Sequence, residues 1–264
     1  KTSICHEVHN SSKMEKKSIF ITGGSTGIGA ACVRRFVSEG WNVAFADIND
    51  EAGKALAAKT GALFIHADTR SHDEVQTAVD AAVDAFGGLT SVFCNAGIHR
   101  RNTMLDTPEE EFDLVIKTNL YGTFHTLKAA VPAILASGGG TVVINASDQS
   151  TVGKRASFAY GMTKGALGQI AKSLSLDLLP KGIRVNAVCP GTVHTPLVDR
   201  LFNEVSERTG ESVDSMWQAE NADYARGRAG DPDEVAELVH FLASDRSSFC
   251  SGGLYLIDGG LSAG

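Results

Sequence analysis

The sequence Thr22-Gly23-Gly24-Ser25-Thr26-Gly27-Ile28-Gly29 decides how this chain folds. It lies between an apolar run, Ser18 to Thr22, and a stretch of helical periodicity from Ile28 to Glu39. Glycine lets the backbone approach a ligand closely and adopt positive φ angles, and the first turn of a helix offers unpaired N–H groups to an anion. A strand, this turn and a helix in succession predict a site for the pyrophosphate of a dinucleotide. The alternative is a tight loop that binds nothing.

Short apolar runs alternate with helical stretches along the rest of the chain. Such strands, separated by helices, indicate a parallel sheet that is covered on both faces. We therefore predict a single α/β domain over residues 18–264, with a doubly wound, Rossmann-type, mostly parallel sheet. The predicted strands are 18–22, 43–46, 62–66, 91–94, 141–146, 183–188 and 254–257. The predicted helices are 28–39, 51–59, 73–86, 108–136 with a bend at Pro132, 156–179 and one that begins at 231–234.

The overall composition is that of an ordinary globular protein. Hydrophobic residues make up 43% of the 264 residues, which is enough apolar sequence for the core of one large domain. The net charge of −7 argues against a nucleic-acid-binding protein and against docking on anionic lipid. No apolar run approaches the roughly 20 residues that a membrane span requires. We expect neither nucleic acid nor a membrane as a partner.

Five cysteines are scattered over the sequence without a Cys-x-x-Cys pair. An odd and dispersed set is typical of reduced thiols, so we expect a cytoplasmic protein. Residues 1–17 are polar and lack the apolar centre of a signal peptide, and we interpret them as a flexible N-terminal extension. Cys5, His6 and His9 could be imagined as metal ligands there, but a tail without a metal is the favoured interpretation, and we expect no metal site.

Three residues predict the chemistry of the chain. Tyr160 and Lys164 are four residues apart in a predicted helix and therefore share one face, and Ser147 precedes Tyr160 by thirteen residues. An ammonium favours a nearby phenolate, so we expect Lys164 to lower the pKa of Tyr160 from its usual value of about 10. A serine at a strand end can hydrogen-bond the oxygen that is oxidised or reduced. The set predicts hydride and proton transfer between a nicotinamide and an alcohol; the alternative is a surface pair on an amphipathic helix.

These motifs resemble those of the short-chain dehydrogenase/reductase family, over a region from about Lys17 to the C-terminus. The glycine-rich turn is similar to the family's Thr-Gly-x-x-x-Gly-x-Gly pattern, and Asn95-Ala96-Gly97 to its Asn-Ala-Gly turn. Pro190-Gly191, followed by Thr195, resembles its cofactor loop. The resemblance implies that Asn119 holds a water in a proton relay and that Lys164 also binds the nicotinamide ribose. The implied catalytic residues are Asn119, Ser147, Tyr160 and Lys164.

The acidic residue at the end of the second strand predicts the cofactor. Asp47 can accept hydrogen bonds from both adenosine ribose hydroxyls and would repel a 2′-phosphate, so we predict NAD rather than NADP. Its alternative role is to cap the next helix. By resemblance, Asp68 binds the adenine amine and Thr195 the nicotinamide carboxamide, although either could be a helix cap. The predicted cofactor-binding residues are Gly23, Ser25, Thr26, Gly27, Ile28, Gly29, Asp47, Ile48, Asp68, Asn95, Ala96, Gly97, Tyr160, Lys164, Pro190, Gly191, Val193 and Thr195.

Residues 192–228 form a long segment after the sixth strand, which we interpret as a lid over the nicotinamide end. Plain packing or a subunit contact is the alternative. The candidate pocket residues are Gln149, His99, Arg155, His194 and Trp217, and polar groups outnumber aromatic ones among them. This composition favours a sugar, a polyol or a hydroxy acid over a steroid, and Arg100 or Arg155 could bind a carboxylate. The predicted substrate residues are Ser147, Gln149, Arg155, His194 and Trp217.

Two other functions remain open from the sequence: a non-catalytic nucleotide-sensing protein on the same fold, and a reductase of a larger apolar carbonyl compound such as a 3-oxoacyl group or a steroid. A sensor needs the glycine-rich turn but no proton relay. The last strand, 254–257, is an edge that needs covering. In the family such edges pair subunits, and we expect a homotetramer.

Overall fold

The structure, a computed structural model, describes residues 16–263. Its centre is a sheet of seven parallel strands in the order β3-β2-β1-β4-β5-β6-β7. The strands are β1 Ser18–Thr22, β2 Asn42–Asp47, β3 Leu63–His66, β4 Ser91–Cys94, β5 Gly140–Asn145, β6 Ile183–Pro190 and β7 Leu254–Ile257. The predicted doubly wound, single-domain fold is confirmed. The strand order reverses between β1 and β4, and such a switch point opens a crevice at the carboxyl ends of the strands.

Helices cover both faces of this sheet. Successive residues of β1 point to opposite faces: Ile19 and Ile21 pack with one set of helices, and Phe20 packs with the other. All three side chains are fully buried. The helices are α1 Gly27–Ser38, α2 Asp50–Thr60, α3 His72–Phe86, α4 Glu109–Ile116, α5 Gly122–Ala136, α6 Phe158–Leu178, α7 Pro196–Thr209, α8 Val213–Ala222 and α9 Pro232–Ala243. Within residues 16–263, none of the helices combines the length and the apolar composition needed to cross a membrane.

The long helix predicted over residues 108–136 is interrupted. A π-helical turn, Lys117–Tyr121, separates α4 from α5, and α5 then continues through Pro132 to Ala136. A π-helical turn accommodates extra backbone inside a helix and often lies at a functional site. Here it carries Asn119, which is fully buried and bonded to the loop after β4. The sequence pattern does not reveal the turn, since the apolar residues around it keep helical spacing.

Residues 192–228, the segment that we interpret as a lid, contain α7 and α8. Phe202, Val205 and Met216 form a small buried cluster between these helices. The start of the segment is joined to its end and to the residues before α9: the N–H of Thr192 donates to Tyr224 Oη at 2.6 Å, and the N–H of His194 donates to the carbonyl of Gly230 at 2.9 Å. The segment therefore folds as a helical pair with its own core.

The predicted N-terminal extension lies almost wholly outside the described residues. Its last residue, Lys17, is held in the domain: its carbonyl accepts a hydrogen bond from the N–H of Asn42 at 2.9 Å, and its ammonium lies 2.6 Å from Asp245 Oδ1. Lys17 is therefore in contact with the domain through its backbone and its side chain.

Candidate active site

The carboxyl ends of β1, β2, β4, β5 and β6 surround one cleft of about 1230 Å³. Most of the predicted site residues line it, and five do not: Ser25, Gly29 and Asn119 are buried beside it, and His194 and Trp217 lie outside its lining as a stacked pair. The predicted residues that line it are Gly23, Thr26, Gly27, Ile28, Asp47, Ile48, Asp68, Asn95, Ala96, Gly97, Ser147, Gln149, Arg155, Tyr160, Lys164, Pro190, Gly191, Val193 and Thr195.

The glycine-rich turn is held in shape by Asn95. The side-chain amide of Asn95 donates to the carbonyls of Thr22 and Gly23, at 3.0 and 2.9 Å, and accepts from Asn145 Nδ2 at 2.9 Å. Gly23 and Gly27 have φ angles of +63° and +53°, which side chains of L-residues rarely adopt. The Asn95 side chain thus fixes the conformation of the turn through two hydrogen bonds.

Two features of this turn fit the pyrophosphate of a dinucleotide. The hydroxyl of Ser25 is buried without a hydrogen-bond partner among the described residues, and the turn leads directly into the first N–H groups of α1. Gly23 and Gly27, which have no side chains, line the cleft at this turn. The donor set and the free space are therefore those that a phosphate group requires.

Asp47 ends β2 and lines the cleft beside the glycine-rich turn. Its Oδ2 accepts from the N–H of Ser25 at 3.0 Å, and its Oδ1 accepts from the N–H of Asn49 at 2.9 Å. The cap of α2 is Asn49, whose side chain accepts from the N–H of Ala52 at 3.1 Å. The alternative role of Asp47 as the helix cap is therefore wrong.

Asp68 is engaged by a neighbouring arginine. The guanidinium of Arg70 donates to both of its carboxylate oxygens, at 2.8 to 3.0 Å through Nε and 2.5 Å through Nη2. These hydrogen bonds lower the pKa of Asp68. Ser71, and not Asp68, caps α3. Thr195, in contrast, does cap its helix, since its hydroxyl accepts from the N–H of Val198 at 3.4 Å.

Ser147, Tyr160 and Lys164 meet in the middle of the cleft. Ser147 follows β5 and is 6% exposed. Tyr160 and Lys164 lie in the first two turns of α6, and the Lys164 ammonium is 5.4 Å from the centre of the tyrosine ring. The ring of His99, from the loop after β4, stacks on Tyr160 with 3.9 Å between centroids. The end of β5, helix α6 and the loop after β4 thus bring their side chains together at the Tyr160 phenol.

The predicted lowering of the tyrosine pKa by lysine is wrong for this arrangement. Burial raises the pKa of Tyr160, the negative charge of Asp148 adds to this effect, and the Ser147 hydroxyl opposes it. Lys164 donates instead to the backbone carbonyl of Asn145 at 2.6 Å. Burial lowers the pKa of Lys164 to about 8. The spacing of four residues places both side chains on one face but does not decide where a long lysine side chain ends.

Asn119 contributes from behind the cleft. Its amide donates to the carbonyl of Ile98 and to Thr163 Oγ1, both at 3.0 Å, and accepts from the N–H of Ile98 at 2.8 Å. The Thr163 hydroxyl in turn donates to the carbonyl of Tyr160 at 2.7 Å. Asn119 therefore connects the loop that carries His99 to the helix that carries Tyr160.

A group of charged residues near Ser147 and Tyr160 is absent from the sites predicted from the sequence. Asp148, Lys154, Arg101, Arg200, Glu220 and Asp223 also line the cleft. Burial lowers the pKa of His99 to about 3, and the charges of Arg101, Lys164, Lys154 and Arg100 add to this effect. His99 is accordingly neutral at physiological pH. These residues lie in loops with no periodic spacing, and the one signal in the sequence is the run of basic residues at Arg100–Arg101 and Lys154–Arg155.

The chain is similar to oxidoreductases over nearly its whole length. A family model described as enoyl-(acyl carrier protein) reductase matches residues 23–262. A 3-alpha-(or 20-beta)-hydroxysteroid dehydrogenase of Mycobacterium tuberculosis is 37% identical over 96% of this chain and 92% of that protein. The trans-4-hydroxycyclohexanecarboxylate dehydrogenase of Sinomonas cyclohexanicum is 35% identical over 96% of both chains.

Solved structures agree with this relationship. The ligand-free aldohexose dehydrogenase of Thermoplasma acidophilum superposes with a TM-score of 0.86 at 32% identity, over 96% of both chains. Levodione reductase superposes with a TM-score of 0.88 at 29% identity, over 94% of this chain and 98% of that one. With the converging serine, tyrosine and lysine and the glycine-rich turn, these matches establish that the chain is an oxidoreductase of the short-chain dehydrogenase/reductase family.

Proposed function

We propose that this protein is an NAD-dependent dehydrogenase that interconverts a secondary alcohol and its ketone on a small polar substrate. The convergence of Ser147, Tyr160 and Lys164 in the cleft that contains the glycine-rich turn carries the proposal. A non-catalytic nucleotide sensor would need the turn but no such set. Replacement of Tyr160, described in the Discussion, is the direct test of catalysis.

The proposed reaction assigns one role to each side chain. A nicotinamide dinucleotide held at the glycine-rich turn would supply the hydride chemistry. Tyr160 Oη takes the proton of the alcohol during oxidation and returns it to the substrate oxygen during reduction. The raised pKa of Tyr160 keeps its phenol protonated in the free protein, which is the form needed to donate a proton. Ser147 hydrogen-bonds the same substrate oxygen. Lys164 would hold the ribose hydroxyls of the bound dinucleotide.

Asp47 supports NAD as the cofactor. The wild type should have a higher kcat/KM with NAD than with NADP, by about tenfold or more, since the juxtaposition of like charges costs several kcal/mol. Asp47→Ala should reduce this ratio by removing the carboxylate that faces a 2′-phosphate. Glu51→Ala, which removes an exposed acid from the next helix, is the control and should leave the ratio unchanged. A wild type that prefers NADP would contradict the assignment.

The charges of the cleft support an anionic substrate, such as a hydroxy acid, over an uncharged sugar or polyol. The loops after β4 and β5 and the lid bring five cations, Arg100, Arg101, Lys154, Arg155 and Arg200, against three acids, Asp148, Glu220 and Asp223. Arg101, Arg155 and Arg200 have no carboxylate within 4.0 Å among residues 16–263. A positive cleft attracts anions, and arginine binds carboxylates in a bidentate manner.

A panel of alcohols assayed with NAD by absorbance tests the substrate class. We expect the highest kcat/KM with trans-4-hydroxycyclohexanecarboxylate, and lower values with its methyl ester, an aldohexose, a polyol and a hydroxysteroid. The methyl ester is the matched control, since it keeps the ring and the hydroxyl but lacks the charge. The similarity to a named hydroxysteroid dehydrogenase favours a steroid as the second candidate. Turnover of the steroid alone would replace our proposal by that candidate.

Two separate apolar surfaces support a homotetramer. Tyr121, Phe124, Phe158 and Met162 are exposed near α5 and α6, while Phe249 and Leu256 are exposed near β7. Two different self-complementary surfaces generate a tetramer with two kinds of two-fold contact. Sedimentation should show a species of four chains of 27.8 kDa each. We also propose a cytoplasmic location, and the four cysteines within residues 16–263, which are all free thiols, support it.

A further inference from the structure

A buried carboxylate lies directly beside the proposed catalytic serine. Asp148 follows Ser147 in the chain and is 1% exposed. The hydroxyl of Ser147 donates to Asp148 Oδ1 at 2.7 Å. The ammonium of Lys154 lies 2.9 Å from Asp148 Oδ2. Burial of a charge costs free energy unless the charge is paired. Lys154 therefore compensates for the burial of Asp148 at the centre of the cleft.

The hydrogen bond to Asp148 sets the polarity of the serine. A hydroxyl has one proton to donate and two lone pairs that accept. The proton of Ser147 is committed to Asp148, and one lone pair accepts from the N–H of Gln149 at 3.2 Å. Ser147 therefore presents an acceptor to the cleft and to the neighbouring Tyr160 hydroxyl. The hydroxyl of an alcohol can donate to that acceptor, whereas the oxygen of a ketone can only accept.

Lys154 holds Asp148 in place and connects it to the lid. Burial lowers the pKa of Lys154, but the carboxylate of Asp148, together with Tyr224 and Glu220, outweighs burial and raises it above its usual value. Glu220 lies in α8 and accepts a hydrogen bond from the hydroxyl of Thr192, while Tyr224 accepts one from the N–H of Thr192. The ammonium thus lies between the serine loop and the lid, and it remains charged.

We propose that Asp148 and Lys154 are positioning residues that orient the Ser147 hydroxyl as an acceptor and thereby match the resting site to an alcohol rather than to its ketone. The inference rests on the proposed roles of Ser147 and Tyr160. During reduction, the Ser147 proton has to leave Asp148 before it can stabilise the substrate oxygen. The pair therefore acts on the relative affinity for the two substrates, while the overall equilibrium between them stays that of the reaction.

Asp148→Asn reverses this polarity. The Lys154 ammonium can only donate, so the asparagine oxygen must face it, and the asparagine NH₂ group then faces Ser147. Ser147 Oγ accepts from that group, and its own proton turns toward the cleft. We expect the dissociation constant to rise for the alcohol and to fall for the ketone, each by about threefold to tenfold, which corresponds to one neutral hydrogen bond.

The measurement uses the full-length protein and the alcohol of the panel with the highest kcat/KM, together with its ketone. Binding of the alcohol is measured with NADH present and binding of the ketone with NAD present, so that no turnover occurs. An unchanged ratio of the two dissociation constants in Asp148→Asn would overturn the inference. Absence of turnover with every alcohol of the panel would refute the proposed function, and the inference with it.

The pH profile of alcohol oxidation separates positioning from structural damage. The groups that face Tyr160 are Asp148, Ser147, His99 and Lys164. The acid limb of kcat/KM reports deprotonation of the free enzyme's base. Asp148→Asn removes a negative charge and should move this limb to lower pH. Lys154→Met leaves that charge unpaired and should move it to higher pH.

Two control variants complete the design. Lys154→Arg restores a cation and should bring the limb back toward the wild-type position. Lys172→Met, which removes an exposed cation from the surface of α6, should leave the limb in place. Shifts of Asp148→Asn and Lys154→Met in the same direction would overturn the inference, since a general loss of structure moves both alike. Should Asp148→Asn fail to fold, the shift in Lys154→Met and its reversal by arginine decide the question.

Discussion

Tyr160→Phe should lower kcat by about 10²- to 10⁴-fold, the usual contribution of general acid–base catalysis, and leave the dissociation constant for NAD nearly unchanged. The change removes one oxygen atom, and with it the group that exchanges a proton with the substrate oxygen. It keeps the ring that stacks against His99 at 3.9 Å. Steady-state kinetics and calorimetric titration with NAD measure the two effects separately.

Tyr121→Phe is the matched control for this replacement. The side chain of Tyr121 is 54% exposed and lies in the π-helical turn, away from the lining of the cleft. The same loss of a phenolic oxygen should leave kcat unchanged there. Retained turnover in Tyr160→Phe would remove the catalytic assignment, and loss of NAD binding would mean that the tyrosine serves the cofactor and not the proton.

Gly29→Ala should weaken both the fold and the binding of NAD. A Cβ atom at this position would lie 2.0 Å from the carbonyl oxygen of Gly23 and 2.8 Å from Asn95 Nδ2. Displacement of either neighbour would disturb the hydrogen bond between them, because Asn95 Nδ2 donates to that same carbonyl at 2.9 Å. We expect the free energy of unfolding to fall by about 1–3 kcal/mol or more. NAD affinity should fall because the turn opens.

Gly165→Ala provides the comparison for this prediction. Gly165 lies inside α6, and a Cβ there would meet nothing within 4 Å. Alanine is favoured over glycine in a helix interior by about 1 kcal/mol, so this variant should be as stable as the wild type or more so. Denaturant unfolding with and without NAD gives both quantities. Equal stability of the two variants would show that the turn tolerates a side chain at position 29. The close packing of Gly29 against the Gly23 carbonyl would then not contribute to stability.

Much of the fold could be predicted because strands and helices leave periodic signals. The seven predicted strands agree with the observed ones to within one or two residues at most ends, since each is a short apolar run between polar turns. The six predicted helices cover seven of the nine α-helices within residues 16–263, among them α9, where Asp231 and Glu234 form a capping box. The division of residues 108–136 could not be predicted, because a π-helical turn changes the backbone without changing the apolar pattern.

The candidate site divides in the same way. Turn glycines and strand-end residues could be placed from the sequence, because parallel strands bring their carboxyl ends to one edge. The pairing of Asp68 with Arg70 and the stacking of His194 on Trp217 depend on side-chain directions inside loops. Their positions in the sequence are compatible with several side-chain directions, so only the folded structure selects one.

The amino-acid sequence by itself determined the doubly wound sheet, the glycine-rich turn and the presence of a serine, a tyrosine and a lysine near one another. Local propensity and periodicity suffice for these, since they act over a few residues. Only the tertiary structure decided that Lys164 donates to the carbonyl of Asn145 and that burial raises the pKa of Tyr160. It also decided that Lys154 pairs with Asp148, the residue to which Ser147 donates. Burial and charge at a point in space depend on segments that are distant in the sequence, and their sum exists only once the chain has folded.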